Sequence, residues 1–228
     1  MSGKFALMLL AEELALVAIN PKSGRHGTGV RTELNACLAG LLIAELLLDD
    51  VIATGDKPDR VHVTGRAQPQ GVALAAATTV VIDKGPKIKS IMSAMDRGLT
   101  RKIDLGTWDA VVSGLVEAGA LAETSGTVRH RNTLKQAFVR DSIVAALRLA
   151  AVGDSSLDLR TAALLSMTGP AKLLEVVAPD RKLRSHARDR IDHALDGTAL
   201  ESIGKTVRRL ISDATAAAGA AASVAATG

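Results

Sequence analysis

Three side chains near the carboxyl end of this 228-residue chain have the types and spacing of a metal site. His186, Asp189 and His193 fall on one stripe of a predicted helix, and imidazole with carboxylate is a zinc-binding combination. Five basic residues surround them, and their charge would repel a cation. The pattern therefore favours a solvated helix face over a metal site. The basic residues are Arg181, Lys182, Arg184, Arg188 and Arg190.

Two adjacent carboxylates, Glu12 and Glu13, lie within an apolar segment. Burial there raises a carboxyl pKa and could make an acid catalyst, but capping or pairing with a basic residue is the favoured role. The chain has no G-x-S-x-G, Walker, G-x-G-x-x-G or H-E-x-x-H motif. We therefore predict a protein that is not an enzyme, with no catalytic residues, cofactor or metal.

Basic side chains concentrate in the middle of the chain. Residues 1–57 hold 5 basic and 7 acidic groups, whereas residues 58–148 hold 13 and 8. Such an excess attracts lipid headgroups or a phosphodiester backbone, although a solvated face is the simpler interpretation of either cluster. The first cluster is Lys84, Lys87, Lys89, Arg97, Arg101 and Lys102, and the second is Arg129, Arg131, Lys135, Arg140 and Arg148.

The composition indicates helices and excludes several classes of function. Hydrophobic residues make up 47% of the chain and aromatic residues 1%, with 39 Ala and 30 Leu. This favours core-packed helices and excludes nucleic-acid binding by base stacking. The single cysteine, Cys37, excludes a disulfide framework and a cysteine-based zinc site. The apolar runs are too short to span a membrane and no leader is convincing, so we expect a cytoplasmic protein.

Hydrophobic periodicity predicts most of the elements. Helices are expected over 6–19, 32–50 and 105–121, the last ending at Gly119, and hairpins over 51–66 and 122–139. The continuous apolar run 72–82 fits either a helix or a strand. Residues 214–228 contain nine alanines and no charge, which predicts a disordered tail after a domain covering 1–213. Further helices are predicted over 88–98, 141–151, 180–196 and 199–213, and one or two more over 158–177, broken at Gly169 and Pro170.

Four segments in order resemble the Golgi phosphoprotein 3 family, in its bacterial, actinobacterial-like branch. They are MLLAEELALVAI (8–19), LAGLLIAELLLDDVIA (38–53), VVSGLVEAGALAE (111–123) and LDLRTAALLSMTGPAKLLEVV (157–177). The similarity covers about residues 6–212, and it depends on the order and spacing of the segments. It implies a mainly α fold, a single helical domain with a protruding β-hairpin.

The resemblance also implies a function. Eukaryotic members are cytosolic peripheral membrane proteins that bind phosphatidylinositol 4-phosphate and link membranes to glycosyltransferase tails. Their hairpin contributes to membrane contact and self-association, and here it corresponds to residues 122–139. The resemblance thus implies an anionic membrane surface or a phosphoinositide as partner, and a homo-oligomer formed through the hairpin.

The headgroup pocket of those eukaryotic proteins does not carry over. It uses a tryptophan and three arginines, at positions that fall near Val30, Ala39, Leu105 and Trp108 here. None keeps the expected residue type, and loss of arginine removes its bidentate contact with phosphate. The remaining implication is a looser attraction to anionic lipid.

We therefore predict a peripheral membrane protein that docks a basic face onto anionic lipid, with Trp108 as a candidate interfacial ring. Its helical period, shared with Val111 and Leu115, places that ring in the core or half-buried. The alternatives are a winged-helix DNA-binding regulator with its wing at 129–131, and an adaptor that oligomerises through the hairpin. The predicted lipid-binding residues are Arg31, Arg101, Lys102, Trp108, Arg129, Arg131 and Lys135.

Overall fold

The computed structural model describes residues 8–20, 31–96, 106–124, 131–135 and 137–225. Within them it has ten helices and two antiparallel hairpins, consistent with the mainly α fold expected from the sequence. The elements are α1 (Leu10–Ala18), α2 (Arg31–Leu48), β1 (Ile52–Thr54), β2 (Val61–Val63), α3 (Val72–Lys84), α4 (Ile88–Asp96), α5 (Thr107–Glu117), β3 (Leu121–Thr124), β4 (Arg131–Leu134), α6 (Ala137–Val152), α7 (Leu159–Thr168), α8 (Leu174–Val177), α9 (Arg181–Leu195) and α10 (Ala199–Ala225).

Helices α1 and α2 form the centre of the molecule. α1 packs against α2, α5, α6 and α7, and α2 also packs against α3, α4 and α10. Both are apolar on nearly every side, so neither can lie at the surface. Leu10, Leu14 and Leu16 on α1, and Leu38 and Leu42 on α2, are fully buried in one continuous core.

α10 crosses α2 closely because α2 has a glycine at the point of contact. A β-carbon built on Gly40 would lie 2.8 Å from Cγ2 of Val207 and 3.3 Å from Cγ2 of Ile203. Both neighbours are β-branched and fully buried, so they have little room to withdraw. The missing side chain at Gly40 is what lets the two helices approach.

The second hairpin is set in place by the end of α5. Gly119 adopts a φ of 75°, and the N–H groups of Gly119 and Ala120 donate to the carbonyls of Val116 and Leu115, which closes a Schellman motif. The chain then enters β3, whose Leu121 pairs with Leu134 of β4. The predicted stop of the helix at Gly119 is confirmed.

The structure decides one expectation that the sequence left open and differs from two others. The ambiguous run 72–82 is helical in α3. The second hairpin was expected to extend through residue 139, but β4 ends at Leu134 and α6 begins at Ala137, so Phe138 and Val139 are helical. α10 continues to Ala225 through the segment predicted to be a disordered tail, because alanine has the highest helix propensity.

Two glycine-to-alanine substitutions test the close packing of α2 and α10. Gly40→Ala and Gly204→Ala both gain helix propensity, but a β-carbon at Gly204 meets only an arginine nitrogen at 3.8 Å. We expect Gly204→Ala to raise the free energy of unfolding by roughly 0.5–1 kcal/mol. Gly40→Ala should be the less stable of the two by about 1–3 kcal/mol, because it overpacks the crossing. Urea unfolding measures both, and equal stabilities would contradict the packing described here.

Candidate functional site

Lys135 is the predicted lipid-binding residue whose side chain is described and exposed. It follows β4 directly, and Arg131 is the first residue of that strand. Arg31 begins α2, a different element. Arg101, Lys102 and Arg129 lie outside the described residues. The structure therefore places Arg131 at the start of β4 and Lys135 directly after its end. The lipid-binding role of the other basic residues stays a prediction.

Trp108 has no exposed ring with which to contact an interface. It lies on the buried face of α5 and is 7% exposed, in the core with Val111 and Leu115. Its apolar stripe predicted this burial. The role of Trp108 as an interfacial ring therefore has no support from its position.

Among the described residues, the exposed aromatic side chain is Phe138, which was predicted to lie in the hairpin. It is 65% exposed in the first turn of α6. Exposed side chains recur along α6 at intervals of four and three residues, and three of them are large and apolar. We call this set the α6 stripe: Phe138, Ser142, Ala145, Leu149 and Val152.

The opposite side of α6 explains why the stripe is unusual. Val139, Val144, Leu147 and Ala151 are buried against the core. A surface helix needs only one apolar face, yet α6 carries a second one that no described element covers. The spacing of Phe138, Leu149 and Val152 was the signal in the sequence, and assigning residues 137–139 to a strand concealed it.

Two arginines of the second basic cluster bind backbone carbonyls. Nε of Arg140 donates to the carbonyl of Ile19 at 3.2 Å, beyond the last turn of α1, and its Nη1 lies 3.3 Å from Asp141. Arg148 donates through Nε and Nη2 to the carbonyl of Val176 at 3.1 and 2.9 Å. Both arginines thus bind carbonyls of segments far away in the sequence. They therefore hold the fold together in addition to contributing positive charge.

The amino-terminal end of α1 is held by carboxylates. Oε2 of Glu12 accepts from the N–H of Leu9 at 3.0 Å, and Oε2 of Glu45 on α2 accepts from the N–H of Leu10 at 2.8 Å. A β-carbon on Gly114 of α5 would overlap Oε1 of Glu12. Gly114 thus provides the space into which Glu12 fits.

Arg160 of α7 joins two of these acidic residues. Its Nη1 pairs with Oε1 of Glu45, and its Nη2 lies 3.1 Å from Oε1 of Glu13 and donates to the carbonyl of Met8. One guanidinium thus faces two carboxylates and a carbonyl. The sequence interpretation favoured a structural role for Glu12 and Glu13, either capping or pairing with a basic residue. In the structure Glu12 accepts from the N–H of Leu9, and Glu13 pairs with Arg160.

Burial changes the acidity of two of these groups. Desolvation raises the pKa of Glu12, the hydrogen bond from Leu9 opposes the shift, and the nearby carboxylates add to it. Desolvation also raises the pKa of Glu13, and Arg160 opposes it. Burial of the ionised Glu12 and Glu13 therefore costs stability, and Arg160 and the N–H of Leu9 offset only part of that cost.

A cleft of about 530 Å³ opens beside Arg160, between α1, α6 and the start of α7. Its wall is apolar and includes Leu10, Ile143 and Leu147, whereas Glu13 and Arg160 form a polar end. The volume lies within the range of pockets that hold small molecules. On α6 the wall passes directly into the α6 stripe, since Ser142 belongs to both.

The family model described as Golgi phosphoprotein 3 (GPP34) matches residues 10–214. The chain belongs to the Golgi phosphoprotein 3 family. No curated protein matches it. Among the described residues of this family member, no helix is long and apolar enough to cross a membrane, and no group of His, Cys, Asp and Glu has the arrangement of a metal site.

Ala39 and Trp108, two positions near which the sequence resemblance places the family's headgroup pocket, have buried side chains in this Golgi phosphoprotein 3 member. Ala39 of α2 is fully buried and Trp108 nearly so. An arginine at position 39 would place its charge in the hydrophobic core, which is very costly without a partner. Val30 and Leu105 lie outside the described residues. The departures at Ala39 and Trp108 therefore agree with the packing around them.

The winged-helix alternative needs an exposed helix before the hairpin of this Golgi phosphoprotein 3 member. α5 buries Trp108, Ala110 and Val111, and its most exposed side chain is Glu117. A carboxylate at that position repels a phosphodiester backbone. The described part of α5 therefore offers no support for DNA reading.

Replacing Glu12 tests the electrostatic cost at the end of α1. The pKa of Glu12 is raised in the folded state, so its ionisation costs stability above that pKa, and the cost disappears below the ordinary value of 4.5. Glu12→Gln keeps an oxygen that can accept from Leu9. We expect this variant to be more stable than the parent at pH 8, and the difference to shrink as the pH falls.

Glu33→Gln is the matched control, with the opposite sign. A hydrogen bond from Lys172 lowers the pKa of Glu33, so its ionised form contributes stability above the ordinary pKa and loses it on acidification. This variant should be less stable than the parent at pH 8, by an amount that shrinks at low pH. Thermal melts across the pH range measure both, and a shared sign for the two variants would refute the assignment.

Proposed function

We propose that this protein is a peripheral membrane protein without catalytic activity that docks reversibly onto anionic lipid from the cytoplasm. The docking surface consists of the β3–β4 hairpin and the α6 stripe. Membership of the Golgi phosphoprotein 3 family supports the class of function. The observation that carries the proposal is the exposure of Phe138 three residues after Lys135.

The charge around the α6 stripe suits an anionic surface. Lys135 is exposed at its start, and Arg148 lies beside Leu149. Asp141, which follows Phe138 by three residues in the sequence, pairs with Arg140 at 3.3 Å, so its repulsion of lipid phosphate is reduced. Each basic group near an anionic membrane contributes about 1 kcal/mol. The surface is thus attractive to anionic lipid but not strongly basic.

The exposed apolar side chains of α6 add binding free energy that does not depend on charge. Phe138 is 65% and Leu149 71% exposed, and full burial of one such side chain is worth about 1.5–3 kcal/mol. Helices that lie in a membrane interface combine Phe and Leu on one face with Lys and Arg at the border. Lipid binding through α6 would therefore depend less steeply on salt than binding by charge alone.

The proposed surface distinguishes membranes by charge and not by headgroup structure. The side chains at two of the family's headgroup positions, Ala39 and Trp108, are buried in the core. We therefore expect phosphatidylserine and phosphatidylinositol 4-phosphate to support binding equally when their surface charge is matched. Self-association through residues 122–139 stays a prediction of the family resemblance.

Vesicle sedimentation with four variants tests the surface. Lys135→Glu should weaken binding to phosphatidylserine vesicles by roughly 30-fold, because it reverses one charge. Phe138→Ser should weaken it by about tenfold through lost burial. The controls are Lys57→Glu in the β1–β2 turn and Ile82→Ser on α3, two exposed positions away from α6, which should bind like the parent.

Three results would refute the surface. They are equal binding of the parent to neutral phosphatidylcholine vesicles, an effect of the control variants as large as that of the test variants, and binding to random duplex DNA without binding to vesicles. The last of these would favour the DNA-binding alternative. A preference for phosphatidylinositol 4-phosphate at matched charge would contradict the expected lack of headgroup specificity, but it would not contradict the docking surface.

Site-specific labelling tests whether α6 enters the interface. The native Cys37 is fully buried and burial raises the pKa of its thiol, so it should not react with a labelling reagent. An environment-sensitive fluorophore on Leu149→Cys should shift to the blue on anionic vesicles, and the same label on Ile82→Cys should not. Sedimentation of the labelled protein without any shift at position 149 would remove α6 from the docking surface.

A further inference from the structure

We infer that the cleft between α1, α6 and α7 binds a small monocationic amphiphile, with its protonated amine at Glu13 and its hydrocarbon chain against α6. Glu13 supplies a partly buried carboxylate at one end of the cleft, and Leu10, Ile143 and Leu147 line the apolar wall. Ligand binding in this cleft does not require the membrane docking proposed above, although Ser142 belongs both to the cleft lining and to the α6 stripe.

The charge balance of the polar end selects a cation. Arg160 carries one positive charge and pairs with two carboxylates, Glu13 and Glu45. The ionised group therefore has one negative charge in excess, beside an apolar wall where that charge is poorly solvated. A ligand with a single positive charge neutralises the excess on these three side chains, whereas an anion would add to it. Asp158, a further carboxylate in the cleft lining, also attracts a cation.

The acceptors available at this end also favour a donor ligand. Both oxygens of Glu45 already accept hydrogen bonds, from Leu10 and from Arg160. Glu13 accepts from Arg160 through Oε1, and its Oε2 has no hydrogen-bond partner among the described residues. Asp158, which also lines the cleft, uses Oδ1 to cap α7. An ammonium has three donors and no acceptor, which matches these free carboxylate oxygens.

The size and shape of the cleft limit the ligand to a small molecule. A volume of about 530 Å³ holds a ligand of modest size with most of its surface buried. Ala146 and Ala150 keep the α6 side of the cleft open, because larger side chains there would fill it. A hydrocarbon chain of the ligand would pack against the apolar wall, and one amine would bind Glu13 at the polar end.

Calorimetric titration with three probes of equal chain length tests the site. We expect octylammonium to bind at least about tenfold more tightly than octanol, because a hydrogen bond to a charged group adds about that factor. Octanoate should bind more weakly than both. No vesicles are present, so the outcome does not depend on membrane docking.

Three variants locate the binding. Glu13→Gln retains an acceptor for Arg160 and should remove the preference for octylammonium over octanol. Ala146→Phe, at an exposed position lining the cleft, should abolish binding of both. Ala145→Phe, its exposed neighbour outside the cleft lining, should bind like the parent.

The inference fails if octanol binds as tightly as octylammonium, if octanoate binds most tightly, or if none of the probes binds. It also fails if Ala146→Phe retains the binding of the parent, since the probe would then occupy another site. Melting temperatures of all variants identify any loss of fold, and Ala145→Phe measures the effect of an added ring on the same helix.

Discussion

The fold depends on how the two ends of α1 are satisfied. A helix buried on all sides cannot use water for the N–H groups of its first turn or the carbonyls of its last, so side chains from other elements must supply the partners. Glu45 of α2 accepts from the first turn, and Arg140 of α6 donates to the carbonyls at the other end. α1 is short and central, and these contacts fix both its position and its direction.

The same contacts determine the arrangement of the surrounding helices. Glu45 ties α2 to α1, Arg160 brings α7 to the same end, and Arg140 holds the start of α6 at the opposite end. The positions of the α6 stripe and of the cleft therefore have a common origin. Both are consequences of α6 lying along α1 with one face packed and the other open, and of α7 approaching close enough for Arg160 to reach Glu13.

Local sequence signals predict the elements that local physics controls. The stop of α5 at Gly119 needs only a glycine after an apolar run, and the β1–β2 hairpin follows from a polar turn between short alternating segments. Family-scale similarity predicts the mainly α class. The apolar run in α3 fits either a helix or a strand. In the structure it is a helix packed against α2 and α4, and the periodicity of the sequence contains no information about that packing.

The candidate site was harder to predict because burial is a tertiary property. The sequence shows three aromatic residues, but only the packing shows that Trp108 is covered and Phe138 exposed. It shows a basic cluster, but not that Arg140 and Arg148 bind carbonyls of segments far away in the chain. Counting basic residues in the sequence therefore overestimates the number of side chains that are available to bind an anionic surface.

The close contact between Gly114 and Glu12 joins two positions that lie more than one hundred residues apart in the sequence. Since a side chain at position 114 would occupy the volume of the Glu12 carboxylate, Gly114 cannot gain a side chain while Glu12 stays. A larger residue at 114 requires a shorter one at 12, and then another group must accept from the N–H of Leu9. Relatives with a larger residue at position 114 should therefore carry a shorter one at position 12.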